Sequence, residues 1–266
     1  MRHEVSLPLG DNIAHQFSRA AERYREHNHL QRQTAQLLQS GFTPRGTLLD
    51  IGAGPGTEFI SPGQVIALDI APAMLRTLKA TFPQQFAICA DAQALPLVSA
   101  SIDCLYSNLA LQWCPQLELA LAEIHRVLKP GGRCRLALVV DGSLPELPIL
   151  GLHRNAFPDA EVIRGQISGL PWQAMTLQEQ TLKLHFDSLK SLLFSLKGVG
   201  ATARFSQPRS TIEIKGKKEQ SVDTDSHHFG LRGRAFWQQL GLRAESLREQ
   251  PGLPLSYQIL FVDAVK

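Results

Sequence analysis

The chain has 266 residues, of which 44% are hydrophobic and 19% are charged, so it has the composition of a folded globular protein with a full core. Its 27 basic and 24 acidic residues leave a formal charge of +3, far below the dense basic surface of a general nucleic-acid binder. These values exclude disordered and fibrous proteins. We also expect no membrane span, because no apolar run approaches the ~20 residues that cross a bilayer.

The amino-terminal part is predicted to be helical. Ile13, Phe17, Ala21 and Tyr24 recur at spacings of four and three, which is typical of an amphipathic helix. A second helix is predicted over residues 29–38, with its end at Gly41. Residues 1–45 are therefore expected to form a helical lid.

From residue 47 onward the pattern alternates between apolar strands and helices. The predicted strands cover residues 47–51, 64–69, 86–90, 102–107 and 133–140, and the predicted helices cover 72–82 and 117–128. This alternation predicts an α/β fold with a doubly wound, mostly parallel sheet, whose binding core spans residues 46–140. Its ligand is expected beyond the carboxyl ends of the strands.

After Val140 this rhythm breaks. Residues 142–200 contain helical leucine stripes, which we interpret as an inserted helical cap over 141–210 without a further strand and helix pair. Residues 211–266 are predicted to return to the sheet, through a helix over 231–240 and a strand over 257–265. The lysine-rich stretch 202–224, with a short strand over 211–214, and the pair His227 and His228 have no assigned role.

The strongest local signal is the sequence LLDIGAGPG at residues 48–56, a strand that ends in an acid and glycines at alternate positions. Glycines allow a ligand to contact the backbone. The spacing is GxGxG, whereas dinucleotide-binding turns have GxGxxG, so a cofactor without phosphates fits better. Asp50 would repel a pyrophosphate and attract an ammonium group.

Two further acids follow the next strands. Asp69 ends the second strand, where a carboxylate can accept both hydroxyls of a ribose, and Asp91 follows the third strand, where it can accept an adenine amino group. Either acid alone is more typical of a helix cap or a turn. Acids at three successive strand ends predict a binding site.

These segments, together with VIALD, ADAQALPL and EIHRVLKPGG, resemble the class I S-adenosylmethionine-dependent methyltransferases through about the first 140 residues. The resemblance implies a seven-stranded Rossmann-like sheet and S-adenosylmethionine as methyl donor. It also implies these cofactor-binding residues: Asp50, Gly52, Ala53, Gly54, Gly56, Asp69, Ile70, Asp91, Ala92, Asn108 and Leu109.

Other segments are similar to the malonyl-acyl-carrier-protein O-methyltransferases of biotin synthesis: FSRAAERY at 17–24, LQR at 30–32, SNLALQWC at 107–114, GSLPEL at 142–147 and SLKGVGAT at 195–202. The last two lie in the predicted cap, where substrate selection is expected. This resemblance implies methyl transfer to the free carboxylate of a malonyl thioester, giving the methyl ester that enters pimeloyl and biotin synthesis. The implied partner is acyl-carrier protein carrying malonyl, or malonyl-coenzyme A, and no preference or oligomeric state follows.

The implied chemistry needs no general base, because a carboxylate with a pKa of about 4 is ionised at neutral pH. Positioning is expected from Tyr24 and Asn108, and a cation, Arg154 or Arg164, is expected to bind the malonyl carboxylate. Trp113 is expected to form an apolar wall beside the substrate, with Tyr24 near it. Each has a plainer alternative, since the arginines can be surface residues and the two aromatic residues can be core residues.

Two alternatives to this function remain open. Only about 12 residues separate Gly56 from Asp69, so the helix after the glycine turn must be very short or missing, which leaves a catalytically silent homologue open. Another small-molecule acceptor is the second alternative.

Lys197, Arg204 and Arg209 are expected to meet an acidic carrier protein. Four cysteines without a CxxC pair, and an adjacent pair of histidines at 227 and 228 in a polar stretch, predict no metal site, reduced thiols and a cytoplasmic location.

Overall fold

The computed structural model describes residues 28–59, 63–198 and 233–266. Its strands are β1 Leu48–Ile51, β2 Val65–Asp69, β3 Phe86–Cys89, β4 Ile102–Asn108, β5 Leu128–Val139, β6 Ala174–Phe186 and β7 Leu253–Val265. Its α-helices are α1 His29–Gln39, α2 Pro72–Thr81, α3 Leu117–Val127, α4 Glu146–Ile149, α5 Ala160–Ser168, α6 Leu189–Gly198 and α7 Arg234–Ser246, with a 3-10 turn at Leu111–Trp113.

The seven strands form one sheet in the order β3-β2-β1-β4-β5-β7-β6. The pairs between β1, β2, β3, β4 and β5 are parallel, whereas β7 runs antiparallel to β5 and β6. The predicted doubly wound, mostly parallel sheet is therefore confirmed. The chain order reverses between β1 and β4, which opens a crevice at the carboxyl ends of these two strands.

Alternating residues of β1 face two different cores. Leu48 packs with Tyr106 in a cluster that includes α1, whereas Leu49 and Ile51 pack with α3 and α5. Because side chains alternate along a strand, Asp50 faces the same side as Leu48. It is paired in register with Tyr106 on β4.

The sheet extends into a leucine-rich cap. Pairing between β5 and β7 ends at Val139 and Ile259, but β6 and β7 continue to pair over residues 181–186 and 253–258. This two-stranded extension packs with α4, α6 and α7 around buried side chains that include Leu147, Leu192 and Leu240. We call these five segments the cap.

The prediction that residues 142–200 hold no further strand and helix pair is wrong, because β6 lies there and is followed by α6. Exposed and partly buried residues alternate along most of this edge strand, whereas the predicted strands were found as continuous apolar runs. The cap is thus formed by separate segments, interrupted by α5 and the first half of β6. The division of the chain at residues 46, 141 and 211 stays a prediction.

The connection between β1 and β2 contains no helix among the residues that the structure describes there, 52–59 and 63–64. This agrees with the short spacing between Gly56 and Asp69. Residues 60–62 lie outside the described part. So do the predicted helix with Tyr24, the predicted strand over 211–214, and the pair His227 and His228.

Candidate active site

The glycine turn after β1 presents bare backbone to the crevice. Gly52 and Gly54 have φ values of +70° and +56°, a region that favours glycine. A Cβ on Gly52 would lie 2.1 Å from the Cβ of Ala110, whereas a Cβ on Gly54 would meet no atom within 4 Å. Gly52 therefore allows close packing of β1 against the segment after β4, and Gly54 faces open space that a ligand can fill.

Asp50 is a buried carboxyl group behind this turn, with 1% of its surface exposed. Burial raises its pKa to about 7, and the negative charge of Asp69 adds to this, while a hydrogen bond from the Thr57 side chain opposes it. One oxygen, Oδ2, is buried without a hydrogen-bond partner in the described part. A buried acceptor of this kind is suited to a charged donor such as an ammonium group.

Asp69, at the end of β2, holds the turn in place. Its Oδ2 accepts the backbone N–H of Gly54 and its Oδ1 accepts that of Ala71, both at 2.8 Å. Burial raises the pKa of this carboxyl group. Each carboxylate oxygen has a second lone pair, so Asp69 can still accept the two hydroxyls of a ribose.

Asp91, just past β3, is engaged by a neighbour. The side-chain Nε2 of Gln93 donates to both oxygens of Asp91, at 3.1 and 2.9 Å, and the Gln93 backbone N–H donates to Oδ1 at 2.9 Å. Ala92, between them, is buried. Gln93 thereby fixes the direction of the carboxylate at this end of the crevice.

Asn108 ends β4 and connects it to α1. Its Nδ2 donates to the carbonyl oxygen of Gln31 at 2.9 Å, which leaves its Oδ1 buried and without a partner in the described part. The side-chain oxygens of Gln31 and Gln112 are also buried without partners there. These three side-chain oxygens and Asp50 Oδ2 are all hydrogen-bond acceptors without a partner in the described part. Such acceptors fit a positively charged ligand.

A cleft of about 780 Å³, including space open to solvent, lies along these strand ends. Eight predicted cofactor residues line it: Gly52, Gly54, Asp69, Ile70, Asp91, Ala92, Asn108 and Leu109. Asp50, Ala53 and Gly56 are not among its lining residues. Met74, Gln93, Cys114 and Pro115 also line it and were not predicted. Gln93 and Cys114 lie in the quoted segments ADAQALPL and SNLALQWC, but no role of their own was predicted for these two residues.

The predicted substrate residues divide into two groups. Trp113 lines the cleft and meets Phe157 edge to face, with ring centroids 6.1 Å apart. Arg154 and Arg164 are not among the lining residues. Tyr24 lies outside the described residues.

Both arginines are ion-paired. Arg154 contacts Asp141, just past β5, with Nη2 and Oδ1 3.0 Å apart, and donates to the Ser143 carbonyl oxygen at 3.0 Å. Arg164, on α5, contacts Glu179 on β6 at 2.6 Å and Glu161 at 3.2 Å. Arg154 is therefore at the carboxyl edge of the sheet, where the cleft also lies, and Arg164 is bound to the flank of β6.

Two kinds of feature are absent from the described residues, a metal-binding cluster and a membrane-spanning helix. No three His, Cys, Asp or Glu side chains come together there as a metal ion would require. None of the helices described is both long enough and apolar enough to cross a membrane.

Solved structures with similar folds include methyltransferases. A possible histamine N-methyltransferase from Thermotoga maritima has a TM-score of 0.53 at 17% identity, covering 95% of this chain and 99% of its own. A phosphoethanolamine N-methyltransferase from Haemonchus contortus, solved with S-adenosylmethionine, has a TM-score of 0.56 at 15% identity, covering 100% and 61%. At these identities the likeness shows the fold.

The sequence comparisons are more specific. A methyltransferase domain family matches residues 49–136. The malonyl-acyl-carrier-protein O-methyltransferase of Pseudescherichia vulneris is 36% identical over 228 residues, covering 81% of this chain and 90% of that protein. The enzyme of the same name from Erwinia pyrifoliae is 34% identical over 260 residues, covering 93% and 90%. The chain therefore belongs to the malonyl-acyl-carrier-protein O-methyltransferase family, whose methyl donor is S-adenosylmethionine.

Proposed function

We propose that this chain methylates the free carboxylate of malonyl-acyl-carrier protein, forming the methyl ester that enters pimeloyl and biotin synthesis. The observation that carries the proposal is the extent of the sequence similarity. It covers 93% of this chain in the Erwinia pyrifoliae comparison, and so includes cap segments as well as the methyltransferase domain. Similarity confined to the domain would leave the acceptor open, because many acceptors are methylated on this fold.

The chemistry of the cleft is consistent with a carboxylate acceptor. S-adenosylmethionine, when bound, supplies an electrophilic methyl group on a positively charged sulfur. A malonyl carboxylate with a pKa of about 4 is already ionised, so no group of this chain has to remove a proton. Cys114, the thiol on the cleft, has its pKa raised to about 12 by burial and stays protonated at neutral pH. We therefore assign the described residues to binding, orientation and exclusion of water.

These tasks divide among the residues that line the cleft and the buried Asp50 behind the glycine turn. Asp50 and Asn108 would hold the amino-acid end of the cofactor, Asp69 the ribose, and Asp91 and Ala92 the adenine. Asn108 and Trp113 would orient the malonyl group against the methyl group. Tyr24 retains its positioning role from the family resemblance.

Arg154 is the better candidate of the two arginines for the malonyl carboxylate. Its side chain is 35% exposed and lies at the carboxyl edge of β5, so a second carboxylate can approach the guanidinium. Arg164 is held by two glutamates on the flank of the sheet. We expect the partner of Arg154, Asp141, to move aside when the substrate carboxylate binds.

We propose acyl-carrier protein as the partner and malonyl-coenzyme A as the alternative carrier of the malonyl group. Lys197, Arg204 and Arg209 stay the predicted docking residues. Arg204, Arg209 and the side chain of Lys197 lie outside the described part.

We also propose a cytoplasmic location, because the structure has all four cysteines as free thiols.

The decisive experiment is single-turnover transfer of labelled methyl from S-adenosylmethionine to malonyl-acyl-carrier protein, with succinyl and acetyl thioesters as controls. We expect base-labile label on the malonyl thioester alone. Cofactor binding with label on another acid would favour a different small-molecule acceptor. Cofactor binding without any transfer would favour a catalytically silent homologue.

A further inference from the structure

The loop between β3 and β4, which carries Asp91, is fastened along α3 by hydrogen bonds. Arg126 on α3 donates to the carbonyl oxygens of Leu95 and Leu97, at 3.0 and 2.9 Å. Glu123, one turn earlier on α3, accepts the backbone N–H of Leu95 at 2.7 Å and pairs with Arg126 at 2.6 Å. These bonds fix the middle of the loop to the helix.

The start of the loop is fastened to α3 by Gln93. Its side-chain Oε1 accepts the backbone N–H of Gln116, the residue before α3, at 2.9 Å. Its Nε2 donates to both oxygens of Asp91, at 3.1 and 2.9 Å. A backbone N–H can only donate and a carboxylate can only accept, so these two partners fix which end of the Gln93 amide faces Asp91.

This bridge lies in the wall of the cleft. Gln93 and Asp91 line the cleft on one side, and Cys114 and Pro115, just before Gln116, line it as well. Gln93 makes three contacts with the Asp91 carboxylate, two from Nε2 and one from its backbone N–H. A carboxylate has about four lone-pair sites, so Asp91 can accept a further N–H from a ligand. The direction of that site depends on how Gln93 holds the carboxylate.

We propose that Gln93 is a positioning residue that turns Asp91 toward the exocyclic amino group of adenine, and so sets the preference of the cleft for a 6-aminopurine. Without the Nε2 donor, the Asp91 carboxylate can rotate toward water, and the adenine amino group loses an oriented acceptor. Gln93 is itself held by a backbone N–H, so its orientation does not depend on another side chain. The inference rests on the proposed assignment of Asp91 to the adenine and is independent of the acceptor.

The test compares two ligands that differ at one position of the base. One is S-adenosylhomocysteine, and the other is its analogue with an unsubstituted purine, in which hydrogen replaces the 6-amino group. Affinities for both are measured by calorimetry on the full chain with the substitutions Gln93→Met, Gln93→Glu, Asp91→Ala and Gln116→Met, and with the double substitution Gln93→Met and Asp91→Ala. Gln116→Met is the matched control, because Gln116 is exposed and its bond to Gln93 comes from the backbone.

We expect the wild type to bind S-adenosylhomocysteine about ten- to a hundredfold more tightly than the analogue, the usual size of a hydrogen bond to a charged group. Asp91→Ala should bring the two affinities within about twofold of each other. Gln93→Met should reduce the preference about three- to tenfold, through weaker binding of S-adenosylhomocysteine. Gln116→Met should leave the preference within about twofold of the wild-type value.

Two further variants separate orientation of Asp91 from a general effect on the loop. Gln93→Glu keeps an acceptor for the Gln116 N–H and removes the donor to Asp91, so it should retain the bond to α3 and still lose the preference. This variant decides the matter if Gln93→Met does not fold. In the Asp91→Ala background, Gln93→Met should change the preference no further, because Gln93 acts through Asp91.

Equal weakening of both ligands in the Gln93 variants would overturn the inference, because Gln93 would then only maintain the shape of the loop. An unchanged preference in these variants, with the preference lost in Asp91→Ala, would overturn the inference alone. A preference that survives in Asp91→Ala would overturn the assignment of Asp91 to the adenine as well. Methyl transfer is not measured in this assay, so a failure to methylate malonyl-acyl-carrier protein is a separate result.

Discussion

At the scale of single residues, the two glycines of the turn have different tasks. Both have positive φ values, so alanine at either position costs about 1–2 kcal/mol in backbone strain. Only at Gly52 would the new methyl group also overlap a neighbour, the Cβ of Ala110. Gly52 therefore serves the packing of the sheet, and Gly54 leaves room for the ligand.

We expect Gly54→Ala to fold with a stability loss of about 1–2 kcal/mol and to bind S-adenosylhomocysteine at least tenfold more weakly. Gly52→Ala should be destabilised by about 3 kcal/mol or more, because strain and overpacking add. Urea unfolding and calorimetry check both values. A Gly54→Ala protein with wild-type affinity would mean that the cofactor does not approach this backbone.

The Asp50 carboxyl group lowers the stability of the cofactor-free protein at neutral pH, and the direction of this effect follows from its pKa. The folded value of about 7 lies above the ordinary 3.8, so the folded state without cofactor favours the protonated acid. The resulting penalty grows as pH rises from about 4 and is fully developed above about 7. Ionised Asp50 is nevertheless the form that can bind an ammonium group.

We expect Asp50→Asn to be more stable than the wild type without cofactor at pH 8, by about 1–4 kcal/mol, with a smaller difference at pH 5. The substitution should also weaken binding of S-adenosylhomocysteine. Urea unfolding at the two pH values checks this, since the groups that do not interact with Asp50 titrate alike in both proteins. A stability difference that does not change with pH would show that Asp50 is ionised at an ordinary pKa.

At the scale of elements, one arginine ties the carboxyl end of α1 to the sheet. Arg135 on β5 donates to the carbonyl oxygens of Leu38 and Ser40, at 2.9 and 2.6 Å, at the carboxyl end of α1. Its guanidinium also pairs with Asp263 on β7 and lies 5.5 Å from the centre of the Phe42 ring. Because α1 carries Gln31, which contacts Asn108, this attachment reaches the cleft.

We expect Arg135→Met to lower the free energy of unfolding by about 2–4 kcal/mol, because the side chain is only 14% exposed and several acceptors lose their donor. Arg133→Met is the matched control. Arg133 shares Asp263 but is 41% exposed, so its loss should cost about 1 kcal/mol or less. Equal losses in the two variants would mean that Arg135 does not anchor α1.

The elements also show where sequence patterns are informative. The strands β1, β2 and β4 are buried along most of their length, and they were predicted within one or two residues. The edge strand β6 was missed because its polar and apolar residues alternate, which is also compatible with loops and helices. The acids at strand ends were predicted from their position along the chain. The contact of Asn108 with Gln31, 77 residues away, could not be, because it depends on how α1 packs.

At the scale of the whole molecule, the cleft at the strand ends and the cap, to which we assign selection of the acceptor, come from different parts of the chain. The acids and glycines lie at the ends of β1, β2, β3 and β4, whereas the cap is formed by segments from the second half of the chain. This separation explains why the methyl donor is evident from a short motif and the acceptor only from similarity along the whole chain.

The net charge of +3 gives a last prediction, about encounter with the acidic carrier protein. Opposite charges accelerate association, and salt screens them over about 8 Å at physiological ionic strength. We expect kcat/KM for malonyl-acyl-carrier protein to fall about three- to tenfold between 50 and 300 mM NaCl, with kcat unchanged, because the charges steer association and not methyl transfer. A malonyl thioester of N-acetylcysteamine carries no protein, so its kcat/KM should change by no more than about twofold over the same range of salt. Charge reversal at Lys197, Arg204 and Arg209 should remove the salt dependence with the carrier protein. Equal salt responses of the two substrates would mean that charge does not steer the carrier protein, which would contradict the prediction that Lys197, Arg204 and Arg209 dock it.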